Sequence, residues 1–277
     1  VGLLHRRTDR AKACHQRGWA LSEAGRHHEA LEEFHRAFAL DPALTYVHYR
    51  IAFELFFLQR FIEALAAADA AIAASPDDTA APILRGAALF VLGRYAEALE
   101  TLTAVLARKP DSAPVLIDRA QVLRRLGRYP AALADFDRAL QRSPALPGGR
   151  EQKAVTLALA GQHDVALAEF AAAGGEPSGR ADVWTAAIAW HRGEADRAHR
   201  LFERADGKPL GPSSWEAANL RAVVSCALGR AGAADQLTAA AGAAEPSVQD
   251  VVDGLYDLLG DPPLVGIGAL RAIADRG

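Results

Sequence analysis

The sequence predicts an all-α repeat fold, a solenoid of stacked helix pairs, and three observations carry that prediction. Identical or similar residues recur at one fixed spacing. Glycine and proline fall at regular stops within that spacing, and the apolar positions between the stops follow a helical period. Ala30, Ala64, Ala98, Ala132 and Ala166 stand 34 residues apart, and Leu21, Leu55, Leu89, Leu123 and Leu157 keep the same register. Several columns sharing one period are the sequence signature of a repeat architecture.

Each column has a physical task. Gly18, Ala52, Gly86, Ala120 and Ala154 form a small-residue column, which lets two helices approach closely. Gly25, Gly93, Gly127 and Gly161, with Gln59 in the remaining place, end the first helix of each pair, where a left-handed backbone costs glycine least. Pro42, Pro76, Pro110 and Pro144 end the second helix, because proline cannot continue a helix interior. Between the stops, Phe34, Ala37 and Phe38 in one unit and Phe136, Ala139 and Leu140 in another are helically spaced. One such hairpin cannot bury its apolar face alone, so the units must stack.

The stretch from Gly18 through Gly25, Ala30, Phe34, Ala37 and Pro42 resembles a tetratricopeptide repeat (TPR), and the four following units resemble it as closely. Gly93-Arg94-Tyr95 through Ala98 and Gly127-Arg128-Tyr129 through Ala132 are especially typical. The resemblance implies a right-handed α-solenoid of helix-turn-helix repeats whose first helices line the concave face. It leads us to expect an N-terminal arm at 1–10 and five regular units at 11–44, 45–78, 79–112, 113–146 and 147–178. Two divergent units follow at 179–248, marked by Gly193, Ala198, Phe202 and Ala205 and then by Gly229, Ala234 and Pro246. A C-terminal cap at 249–277, with Pro262 and Pro263 between its helices, completes about seven repeats in one continuous domain. The sequence departs from the family where Arg17, Arg85, Arg119 and Lys153 replace large apolar residues of the first helix. Their long stems are expected to lie along the apolar seam with the charged heads in water.

Composition excludes several function classes. No apolar run approaches the roughly 18 residues that would cross a bilayer, and a formal charge of −3 gives no general attraction to nucleic acid or anionic membranes. Arg119, Arg124, Arg125 and Arg128 cluster, as do Arg6, Arg7, Arg10 and Lys12, but RNA-reading repeats need aromatic and polar pairs recurring once per unit. Here the aromatics crowd into one unit. Cys14 and Cys226, far apart and without metal-ligand spacing, are expected to be reduced thiols in a cytoplasmic protein. Methionine is absent even at position 1. Val1 reads either as a GTG start in a GC-rich bacterial genome or as a fragment boundary, and no signal peptide is visible.

The second unit points to a binding surface. His48, Ile51, Ala52 and Leu55 follow an i, i+3, i+4, i+7 pattern and form the face packed on the partner helix. Tyr46, Tyr49, Phe53, Phe56 and Phe57 form another apolar face, centred about 140° away at 100° per residue. Its cover is a neighbouring unit or the chain before residue 11, a partner peptide, or a second solenoid. Trp19 and Phe90 occupy columns matching Phe53 and Phe56 and would extend the face into an aromatic trough. Further along, Asp118, Gln121, Arg124, Arg125, Glu151 and Gln152 turn those columns charged. A segment with an apolar part followed by a charged part would match. For Arg124 and Arg125, helix ends favoured by the dipole are the plainer reading.

One variety of the TPR family clamps a C-terminal carboxylate with Lys and Asn on first helices. Here His15, Trp19, Tyr49, Arg50, Ile83 and Leu84 hold those places, so that recognition mode is not expected. His28, Glu32 and His35, with His27 adjacent, share a helical face at spacings that could bind zinc. That face belongs to an outer helix where solvated polar residues are expected, so no metal site is assigned. No phosphate loop, GxSxG or HExxH motif occurs. No catalytic residues and no cofactor are expected. The leading reading is an adaptor or scaffold holding a partner protein segment. The anchors would be Tyr49, Phe53 and Phe56, flanked by Trp19 and Tyr46, with Phe57 and Phe90 extending the face and Arg124 and Arg125 reading charge. The alternative is a peptide sensor whose superhelix changes pitch and controls an effector, visible as a ligand-dependent change in small-angle scattering.

Overall fold

A computed structural model describes residues 2–208 apart from 147 and 174–177. The seventh unit, the cap and Cys226 lie outside the described residues. Helices fill the described chain in order: α1 (Gly2–Glu23), α2 (His27–Leu40), α3 (Val47–Phe57), α4 (Phe61–Ala74), α5 (Ala80–Val91), α6 (Tyr95–Arg108), α7 (Ala113–Arg125), α8 (Tyr129–Arg142), α9 (Gly149–Leu159), α10 (His163–Ala172), α11 (Gly179–His191) and α12 (Ala195–Asp206). No strand occurs among the described residues. The fold is an all-α repeat solenoid.

The turn inside each pair is a repeated chemical device. Gly25, Gly93, Gly127, Gly161 and Gly193 all have φ near +70°. At the first of these, the Gly25 N–H donates to the Ser22 carbonyl at 2.9 Å and the Arg26 N–H donates to the Leu21 carbonyl at 2.9 Å. These two bonds define a Schellman motif and satisfy carbonyls that the helix end would leave orphaned. The Leu column supplies the same accepting carbonyl at Leu55, Leu89, Leu123 and Leu157. Gln59 takes the glycine position with φ 59°, the one left-handed non-glycine residue described. The second helices then begin with paired charges: Arg26 with Glu29, Arg60 with Glu63 at 2.6 Å and Arg94 with Glu97 at 2.7 Å. Each glutamate sits in the first turn, where the helix dipole favours negative charge. The second helices α2, α4, α6 and α8 end two residues before Pro42, Pro76, Pro110 and Pro144.

Two compact units divide at Val122 and Leu123. In the first, Phe34 and Ala37 of α2 are fully buried with Val47 of α3, and Cys14, Ile51 and Leu55 join them in one core cluster. Successive helices α1 through α6 pack side by side. In the second unit, α8 through α12 pack in the same succession, with Phe136 and Phe202 buried in their pairs. Every alanine of the 34-residue column, from Ala30 to Ala166, is fully buried. A Cβ added to Gly18 would meet the Phe34 ring at 2.8 Å, and one on Gly86 would meet Leu102 at 2.8 Å. Close helix approach therefore explains those two glycines.

The charged residues at the first-helix seam do more than send their heads to water. Arg85 Nε donates to Asp69 Oδ1 of α4 at 2.7 Å, and Arg85 also bonds Thr101 of its own pair's second helix. Lys153 Nζ lies 2.9 Å from Asp137 of α8 and 2.6 Å from Glu169 of α10. Each cation thus ties its helix both to the second helix before it and to the one after it. Arg17 donates to Glu33 of α2 at 2.7 Å.

Candidate aromatic binding face

The aromatic residues of α3 sort by helical angle into an outer stripe and an inner support. Tyr49, Phe53 and Phe57, spaced i, i+4, i+8, form the stripe; ring centroids are 6.3 Å apart for Tyr49–Phe53 and 4.7 Å for Phe53–Phe57. Phe57 is 53% exposed, Trp19 41% and Tyr46 46%, while Tyr49 and Phe53 are half-buried. These are large exposures for aromatic side chains beside a complete core, and they leave an apolar patch in contact with water. Phe56 turns the other way: it packs edge-on to Phe61 of α4 at 5.4 Å and against the core cluster. Tyr46 stands edge-on to His15 of α1 at 4.8 Å, and Phe90 pairs with Tyr95 at 5.6 Å. On the opposite side of α3, His48 lies against Phe38 at 4.6 Å, with Ile51, Ala52 and Leu55 buried.

Two polar features hold this face. Arg50 lies between α1 and α3 with its guanidinium carbon 3.7 Å from the centre of the Trp19 ring and 5.5 Å from that of Tyr49. Among the described residues it makes no hydrogen bond or ion pair. Burial lowers its pKa, partly offset by the Tyr49 hydroxyl and the Glu54 and Glu23 carboxylates. Cation–π contact holds the charge in place while its N–H donors remain uncommitted. Behind the stripe, Glu54 is fully buried. Its Oε2 lies 2.8 Å from His27 Nδ1, and its Oε1 has no hydrogen-bond partner. The His27 ring stacks on Phe57 at 4.9 Å, with the planes 16° apart. The outermost aromatic ring is therefore braced by a histidine fastened to a buried carboxylate.

Sequence reasoning missed both features. Arg50 interrupts an otherwise apolar aromatic helix, and that was an available signal. The link from His27 to Glu54 joins two pairs across the turn and has no spacing rule within one helix. Arg124 and Arg125 end α7 within the second unit, where Arg124 Nη1 donates to Gln152 Oε1 of α9 at 2.8 Å. In the first unit, burial carries the Asp118 carboxyl of α7 up to about 6. Among the described residues no group of three or more His, Cys, Asp or Glu would hold a metal, and no helix is long and apolar enough to cross a membrane.

The fold and the face together define a repeat protein built from helical hairpins with an exposed aromatic surface. One tetratricopeptide repeat model matches residues 49–113, 83–147 and 117–181, and another matches residues 11–44. Together they span more than half of the chain, which belongs to the tetratricopeptide repeat family. Solved structures share the fold. A tetratricopeptide repeat protein from Parabacteroides merdae is 18% identical with a TM-score of 0.71, over 91% of this chain and 99% of its own. Pseudomonas aeruginosa PilF is 19% identical with a TM-score of 0.59, over 78% of this chain and 99% of its own. MamA from Desulfovibrio magneticus is 19% identical with a TM-score of 0.56, over 60% of this chain and 93% of its own. No curated protein matches in sequence.

Proposed function

We propose that the chain is a protein-interaction scaffold and that the aromatic face of α1 and α3 takes a partner segment carrying apolar side chains beside an acidic one. The observation that carries this reading is Arg50, held over Trp19 at 3.7 Å with its N–H donors unclaimed, next to the water-facing stripe of Tyr49, Phe53 and Phe57. Aromatic and arginine side chains in one patch are the residue types that dominate peptide interfaces, each costing about 2 kcal/mol or more when truncated. A carboxylate is the ligand that Arg50 can bind through paired N–H groups. Trp19 and Tyr49 would keep the guanidinium oriented, Tyr46 would form the margin, and Phe56 would support the stripe from behind. Phe90 would extend the apolar surface.

The test is affinity capture from the source cell with three baits: the full chain, Phe53→Glu and Arg50→Ala. Partners held by the aromatic face are lost from Phe53→Glu and weakened with Arg50→Ala, while circular dichroism stays unchanged. Partners retained by both folded variants would overturn the reading.

A further inference from the structure

Behind the aromatic stripe lies a line of charges that partner contact alone does not use. Glu54 follows Arg50 by four residues, one turn along the same face of α3. Its carboxylate is fully buried, with Oε2 2.8 Å from His27 Nδ1 and Oε1 without a hydrogen-bond partner. A buried carboxylate is unfavourable unless a cation or a proton offsets its charge. Two groups can do so here. Arg50 interacts electrostatically with Glu54 along the helix. His27 keeps 24% of its side chain in water and can exchange a proton with solvent.

The other charged groups nearby act on Arg50 or are engaged with one another. On α1, Glu23 interacts with Arg50, and burial, then the Arg50 charge, lower the pKa of His15. At the start of α2, Arg26 is paired with Glu29 and His28 is exposed. On α3 itself the Tyr49 ring lies 5.5 Å from the Arg50 guanidinium carbon. In α4 Arg60 pairs with Glu63, and in α5 Arg85 is turned to Asp69 and Thr101. The charge balance at Glu54 is therefore set by Arg50 and His27.

With Arg50 as the carboxylate anchor proposed above, on which this step rests, we infer that the aromatic face is proton-linked. A partner carboxylate that neutralises Arg50 makes the His27–Glu54 pair take up a proton, so capture strengthens as the pH falls from about 8 to 6, the range in which histidine ordinarily titrates. The sign follows from the charges. Once an incoming carboxylate shares the guanidinium, Glu54 loses part of its support, and added negative charge favours the protonated form of a neighbouring group. The imidazolium donates to Glu54 through Nδ1 and holds its face against the Phe57 ring, a cation–π contact that a neutral imidazole lacks. By reciprocity, a ligand that promotes proton binding is itself held more tightly when the proton is present.

A substitution imitates the ligand within the full chain. Arg50→Gln removes the cation that a bound carboxylate would neutralise. In urea denaturation it should raise the unfolded-to-folded ratio about five- to ten-fold more at pH 8 than at pH 6, because the native pair then holds a proton that alkaline solution withdraws. In a Glu54→Gln background that pH dependence should vanish, which separates the coupling from the lost contact with Trp19. The ligand arm uses the peptide acetyl-Leu-Phe-Asp-Phe-amide, titrated by calorimetry near pH 7 in phosphate and in Tris, whose ionisation enthalpies differ. Proton uptake should appear as a buffer-dependent heat with the unaltered chain and be absent with His27→Gln. An Arg50→Gln effect equal at the two pH values, or peptide binding without proton uptake, would overturn the inference and leave the scaffold reading standing. No binding at millimolar peptide would remove the scaffold reading, and this inference with it.

Discussion

At the scale of single residues, Asp118 has the most measurable consequence. Burial raises its carboxyl from 3.8 to about 6. The unfolded chain releases this proton near its ordinary value, whereas the folded chain keeps it until about pH 6. Between those values the native state binds more protons, so this group lowers stability as the pH rises through the window. Above it the cost levels off at up to about 3 kcal/mol. Asp118→Asn should therefore leave stability near pH 4 almost unchanged and raise it at pH 7 by up to that amount. Urea denaturation at the two values checks this; an equal effect at both would exclude the mechanism. Residue chemistry was only partly legible in the sequence. The small column at Gly18 and Gly86 was read as close helix approach, and the Cβ distances bear that out. Asp118 appeared only as a charged residue in a column, because desolvation depends on neighbours that one helix does not reveal.

Among the elements, the turns inside the pairs were most readable. Glycine spacing identified where first helices end, and the Schellman hydrogen bonds give the reason. Gln59 is the exception that tests it. An L-residue held in the left-handed region costs about 1–2 kcal/mol, and glycine returns part of that gain as lost chain entropy. Gln59→Gly should stabilise the protein by about 0.5–1 kcal/mol in thermal or chemical unfolding; a destabilised variant would refute this account. The aromatic helix α3 was legible as two-faced, yet its two faces were not cleanly separated. Phe56 and Phe57 are neighbours in sequence, but one turns to Phe61 and the core while the other is exposed. The seam cations were less readable. A lysine sixteen residues from each of two carboxylates makes no helical pattern, and only the stacking of successive pairs brings Lys153 to Asp137 and Glu169.

For the molecule as a whole, the period of 34 residues was sufficient to establish a repeat fold, because a hairpin with one apolar side has no stable alternative to stacking. The same architecture makes stability a local property. Phe34 is fully buried in the first pair, so Phe34→Ala should cost about 3–5 kcal/mol. Amide exchange should accelerate in α1 through α4 far more than in α9 through α12, since a repeat communicates mainly with its neighbours. Uniform acceleration throughout the chain would contradict that behaviour.

The histidine behind Phe57 has a practical consequence. Its imidazole touches the water-facing ring on one side and a sequestered carboxylate on the other. A molecule laid over Phe57 alters the ring current reaching that imidazole, and a rotation of the phenyl group is transmitted to the hydrogen bond beneath. His27 is accordingly a native magnetic-resonance reporter of occupancy, readable without attaching a label to the surface that a ligand would cover.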